Sequence, residues 1–253
     1  MRAFALLLLV ALASAARAQP SPLFLHLEAQ QATGVVEVNG APALRFPPEA
    51  LIPGMPAADS TAFPLLPWLD EGPNRIVVRV AKVEPGGFVA AGIASSPMQP
   101  PAETKKAEAA GEIALEATGK GQPKWRWREA EPWSGDEAGL RAAVAALHGR
   151  LAKGEIKALA EARKPMDEDF DALYGPEPPA EKKRFEAGLK KAKLQPLAKT
   201  LKLTPIGDGR RVAVSDEAGR DPIRYVASGK DSGYRVEAGS IWARLGGQWK
   251  IVR

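Results

Sequence analysis

The chain has 253 residues, of which 45% are hydrophobic and 26% charged, enough apolar content for a buried core and the wrong balance for a disordered or collagen-like polymer. It has no cysteine and two histidines, His26 and His148. That excludes a disulfide scaffold, a cysteine nucleophile and a thiolate zinc site, and any histidine-based metal site would depend on carboxylates. Neither a metal site nor a cofactor is read from the composition.

The first eighteen residues read as a signal peptide. Arg2 supplies the positive start, Phe4 to Ala13 is an unbroken apolar run, and Ala16-Arg17-Ala18 is a small-x-small cleavage site before Gln19. The run is shorter than the ~20 residues needed to span a bilayer. The expectation is therefore an exported protein that is not integral to the membrane once the signal is cut. Export without cysteine points to a bacterial periplasm or exterior.

Without Arg2 and Arg17, 33 basic side chains face 30 acidic ones, which is not the balance of a nucleic-acid-binding chain. The charge is uneven: residues 19–132 hold 10 basic and 13 acidic residues, and residues 133–253 hold 23 and 17. This shift predicts a boundary near Pro132, with one domain over 19–132 and another over 133–253.

The first of these reads as an all-β sandwich. Short β-rich runs recur between Pro and Gly punctuation: Leu23–Leu27, Gly34–Val38, Arg75–Val83, Gly87–Ile93, Glu112–Ala117 and Lys124–Arg128. Between Pro42 and Pro73 lie eight prolines, counting both ends, which predicts a crossover or an irregular loop. The stretch 95–110 has the composition of an exposed connection. The segments Gly34-Val35-Val36-Glu37-Val38-Asn39-Gly40 and Pro67-Trp68-Leu69-Asp70-Glu71-Gly72-Pro73-Asn74-Arg75-Ile76-Val77-Val78 resemble a pattern of the galactose-binding-like jelly-roll domains of β-galactosidase-type glycoside hydrolases. The resemblance spans about 45 residues and implies architecture, a hairpin turn at Asn-Gly and a long central strand, with no sugar-binding residue carried over. An immunoglobulin-like sandwich fits the same turns.

Residues 124–133 hold three of the six tryptophans. Alternating Trp125-Arg126-Trp127-Arg128 on a strand would place both indoles on one face. They would form either a stacking platform for a sugar ring or the closure of the core or of the seam to the second domain.

The second domain reads as helices followed by an antiparallel sheet, an α+β cone. Leu140, Val144, Leu147 and Leu151 form one stripe of an amphipathic helix. Ile156, Leu159 and Ala160 continue a second run as far as Pro165. Met166, Phe170 and Leu173 repeat the spacing, and Phe185, Leu189 and Ala192 do so before Pro196. After Pro196 the period becomes two, with strands expected over Leu197–Leu203, Arg211–Ser215, Ile223–Ser228, Tyr234–Ala238, Ser240–Leu245 and Gln248–Val252. Helices followed by a sheet, ending in Gly-Gln-Trp-Lys-Ile-Val, resemble the cone fold of the nuclear-transport-factor-two-like superfamily, which includes ketosteroid isomerase and polyketide cyclases. The resemblance implies an apolar interior carrying a polar acid and base in its enzymes.

The candidates for such chemistry are Tyr174, Tyr225, Tyr234, His148 and Asp167-Glu168-Asp169, none of them on an alignable catalytic motif. Weak ligand-binding candidates are Trp125, Trp127, His148, Tyr225 and Tyr234. The Asp167–Asp171 run lacks the spacing of a calcium loop and reads as a solvated helix face. The eight basic residues between Glu181 and Lys202 also read as solvated, since no stacking aromatic is interleaved among them apart from Phe185, which the helical stripe buries. Of the terminal tryptophans, Trp249 shares a face with Ile251 and is expected in the core, whereas Trp242 shares a face with Arg244 and Ser240. The expected function is a non-catalytic binding or interaction protein of the bacterial cell envelope, with an unknown protein, small-molecule or glycan partner. The alternatives are a cone enzyme acting on a small apolar ligand, such as an isomerase, cyclase or hydrolase, and carbohydrate binding by the sandwich.

Overall fold

The computed structural model describes residues 22–47, 60–176, 178–227 and 235–253. The expected signal peptide, 1–18, and Tyr234 lie outside them. Two long strands organise the N-terminal half. β1 (Phe24–Val38) runs antiparallel to β4 (Gly72–Ala94), paired with it from Ile76 to Ala94 apart from its bulges. Each merges two of the runs expected from sequence, because the chain bends within the strand instead of breaking. Glu84 to Gly87 bulge out of β4 opposite Gln31, and the register slips again at Thr33/Gly34.

On one side of the bend β1 pairs with β3 (Ser60–Pro64) and β4 with β5 (Lys105–Ala107). On the other side β1 pairs with β2 (Ala41–Phe46) and β4 with β6 (Gly111–Gly119). Leu25, Leu27, Val36, Val38, Ile76, Val78, Val89, Ile113 and Leu115 share one core, so the bent sheet closes over itself. Strands β3 and β5 fall in stretches whose composition predicts loops. Their pairing is supplied by long neighbours, not by their own propensity.

The turn after β1 is made as its sequence suggests. Asn39 and Gly40 both take positive φ, 51° and 79°. Asn74 fixes the start of β4: buried, it accepts from Asn39 Nδ2 and the Asp70 amide, each at 2.7 Å, and donates to the carbonyls of Asp70 and Gly72.

Among the described residues the three α-helices lie in the C-terminal half. α1 (Glu137–Ala152) is capped by Asp136, whose carboxylate accepts the Gly139 amide at 2.9 Å, and it buries Leu140, Val144, Leu147 and Leu151, the expected stripe. α2 (Lys157–Tyr174) runs through Pro165, where sequence expects a break. The proline leaves the Glu161 carbonyl without its helical donor, and Lys250 Nζ donates to that oxygen at 3.3 Å. α3 (Pro179–Lys191) follows.

Then come β7 (Lys193–Leu194), β8 (Lys202–Pro205), β9 (Arg211–Ser215), β10 (Arg224–Val226), β11 (Arg235–Glu237), β12 (Ile241–Leu245) and β13 (Gln248–Ile251). The strand expected over Leu197–Leu203 forms only from Lys202. The sheets are ordered β13-β12-β9-β8 and β11-β10-β7, all pairs antiparallel. Because the Ser240 carbonyl accepts from Val214 N and the Ala238 amide donates to Ile223 O, β9–β10 and β11–β12 form one long hairpin with a kink between residues 216 and 223. At that kink the buried Asp221 carboxylate accepts from Ile223 N on one strand, at 2.9 Å, and from Gly239 N on the other, at 2.6 Å.

The final hairpin corrects the reading of its tryptophans. Trp242 is 1% exposed and faces the helices together with Val212 and Ile251, whereas Trp249 is half-buried, its ring edge-on to Trp133 with centroids 5.6 Å apart. Among the described residues no helix is long and apolar enough to cross a membrane.

Candidate functional site

The residue pattern singled out between the two halves forms a tight turn, not a strand. Trp125 is extended, and Arg126–Glu129 then turns with i to i+3 bonds, Arg128 N to Trp125 O and Ala130 N to Trp127 O. Both indoles enter a third core. With Ala130 they pack against Ala41 from the N-terminal half and Ile206, Ala213, Ile241, Ala243 and Val252 from the C-terminal half. The segment near Pro132, expected as a boundary, is thus bonded to both sides. Trp125 Nε1 donates to Leu69 O at 2.7 Å, Glu131 N to Arg244 O at 2.9 Å, and Trp133 N to Gly209 O at 2.8 Å.

Neither indole offers an open face for a sugar. The Arg211 guanidinium lies 3.7 Å over the ring of Trp127, and that of Arg253 lies 4.3 Å over the ring of Trp125. Arg253 also donates from Nε to Pro67 O at 2.7 Å and pairs through Nη1 with Asp169 on α2 at 2.9 Å, both partners being buried. The other Asp169 oxygen accepts the Arg126 amide at 2.9 Å. Burial pushes the Asp169 carboxyl up, against the pull of Arg253. One guanidinium therefore ties the 67–70 loop, α2 and the last strand together, with an indole as its floor. Asp169 sits three residues from Met166 on the buried face of α2, so an acid on an apolar stripe was the sequence signal that a solvated reading passes over.

The remaining candidates do not converge. His148 is half-buried, and its Nε2 lies 2.9 Å from the Gln195 carbonyl. His26 makes the same kind of bond to Ser96 O, at 3.0 Å. A carbonyl only accepts, so each ring donates from Nε2. Tyr225 is buried in the core under the helices, where burial pushes its hydroxyl pKa up, and neither its hydroxyl nor the Trp242 indole N–H has a partner there. Tyr174 is 55% exposed, its ring 6.0 Å from that of Phe170, which itself lies 5.9 Å from the Arg253 guanidinium at the edge of the seam. Asp167 pairs with Arg163 and Glu168 with Arg126, so helical spacing spreads the acidic run. Among the described residues no group of three or more His, Cys, Asp or Glu side chains is placed to hold a metal.

An open groove of about 350 Å³ lies in the N-terminal half, lined by Leu23, Ile93, Glu116, Ala117, Thr118 and Lys120. Compared with protein-family models, curated proteins and solved structures, the chain matches none of them.

Proposed function

We propose that the chain is an exported, non-catalytic binding or interaction protein of the bacterial cell envelope. Export rests on Arg2, the Phe4–Ala13 run and the Ala16-Arg17-Ala18 site. One observation carries the non-catalytic reading: the side chains best suited to chemistry are engaged in holding the fold. His148 is bonded to a main-chain carbonyl, Asp169 is paired with Arg253, and both seam indoles lie under guanidinium groups. What the surface offers instead is the exposed Phe170–Tyr174 pair and the groove beside β6.

The jelly-roll and cone resemblances enter this reading as architecture only: the Asn39 and Asn74 bonds hold a turn and a strand entry, and a kinked hairpin packs under three helices. Two experiments test the function. Sequencing the N-terminus of protein from the periplasmic fraction should give Gln19, and intact Met1 material in the membrane pellet rejects export. A photocrosslinker at position 174 in intact cells should trap a partner that the same probe at Ala145, on the exposed face of α1, does not. Equal labelling rejects the aromatic pair as the contact.

A second reading has one observation in its favour. The unpartnered Tyr225 hydroxyl and Trp242 N–H in one apolar core suit a small ligand bearing a hydrogen-bond acceptor, because buried donors are seldom left unmet. The glycan reading through Trp125 and Trp127 has no such support.

A further inference from the structure

Strand β6 is the outer strand of its layer, and its side chains alternate strictly. Ile113, Leu115 and Ala117 are buried while Glu112, Ala114, Glu116 and Thr118 are exposed. In an antiparallel strand the N–H and C=O of one residue lie on the same edge, and the edge alternates along the chain. Lys105 Nζ donates to the Ala114 carbonyl at 2.9 Å, which places that carbonyl on the edge away from β4. The backbone groups of Glu116 and Thr118 share that edge. No backbone partner reaches them among the described residues, and the groove opens beside them. Lys105 thus blunts the middle of an exposed edge, as lysines commonly do, and leaves its second half open. Leu23 and Ile93, half-buried against the core, form the apolar wall of that half.

We propose that this open half is a contact between two copies of the chain, with β6 lying antiparallel to its symmetry mate about Thr118. In that register Thr118 faces Thr118 of the second copy, and Glu116 faces Lys120 twice, once on each side of the twofold axis. Threonine pairs and opposite charges are the cross-strand combinations that stabilise a ladder, and a self-complementary patch is what a twofold contact requires. All three side chains are exposed in the single copy, Glu116 and Thr118 on the outer face of β6 and Lys120 one residue past its end. The ladder is short by construction. Lys105 occupies Ala114 at one end, and Gly121, at φ 71°, turns the chain away at the other. The second copy would also cover Leu23 and Ile93.

Sedimentation velocity on the purified chain beginning at Gln19, over a concentration series, decides the matter. A reversible monomer–dimer equilibrium is expected. Glu116→Lys sets lysine against lysine at both symmetric positions and should weaken the dimer about tenfold or more. Lys120→Glu should do the same, and the double exchange Glu116→Lys/Lys120→Glu should restore wild-type association. Circular dichroism confirms that these surface variants keep the fold. A wild-type chain that is monomeric throughout overturns the proposal and leaves the edge to a foreign strand. A dimer unaffected by Glu116→Lys, or a double exchange that fails to restore it, also overturns it.

Discussion

Strand β6 lies at the outside of its sheet with one buried face, and β12 lies inside a sheet with two. On β6 every second side chain is exposed. On β12, Trp242 packs under the helices while Ile241 and Ala243, pointing the other way, pack against Trp125 and Trp127. Alternation of apolar and polar residues reports burial only where water covers one side. Arg244, the charged residue on the face of Trp242, is satisfied at the margin of the sheet by pairing with Glu131.

Truncating the two final tryptophans separates the fully buried side of β12 from the half-buried edge of β13. Trp242→Ala should cost ~3–5 kcal/mol, as for a fully buried indole, and Trp249→Ala only about 1 kcal/mol, its edge contact with Trp133 being the main loss. Chemical denaturation that found equal costs would mean β12 has one buried face after all.

The kink of the two-faced sheet predicts a pH dependence. Burial, aided by Glu237 and opposed by the Ile223 and Gly239 amides and by Arg224, pushes the Asp221 carboxyl up to about 7. The folded state therefore favours the neutral carboxyl. Its advantage is full below the unfolded value near 4 and declines as pH rises to about 7, a loss of up to about 4 kcal/mol. Thermal unfolding from pH 4 to 8 should show this slope, and Asp221→Asn should flatten it. An unchanged slope in Asp221→Asn would assign the effect elsewhere.

The seam makes a smaller and more specific prediction. Asp169→Ala leaves Arg253 buried without its partner and should cost about 3 kcal/mol, whereas Asp169→Leu with Arg253→Met should recover most of it. If the double variant is as unstable as the single one, the pair contributes through its bonds to Arg126 and Pro67. Smallest is Lys250→Met, about 1 kcal/mol from the stranded Glu161 carbonyl. Adding Pro165→Ala, which returns the helical donor, should cancel it.

The sequence was legible where physics is local. The α1 stripe, the Asn39-Gly40 turn and the last two strands lie where periodicity and turn residues put them. It was illegible where a distant partner decides. α2 continues through Pro165 with Lys250 as a donor to the freed carbonyl, and the Trp-Arg-Trp-Arg segment turns tightly where one core, built from both halves, takes both indoles. The candidate site was legible only as residue types. Arg211 and Arg253, which cover those indoles, carry no local mark of their destination.

The same long reach governs how the chain folds. The bond from Arg253 to Pro67 spans 186 positions and that from Arg45 to Ala218 spans 173, so the seam demands the costliest loop closures in the molecule. The sheets of the two halves have the means to form before it, and until it shuts, Ile241, Ala243 and two indoles stay wet. Pulsed hydrogen exchange should find the Trp125 N–H among the last to gain protection, later than the amides of β1 and β4.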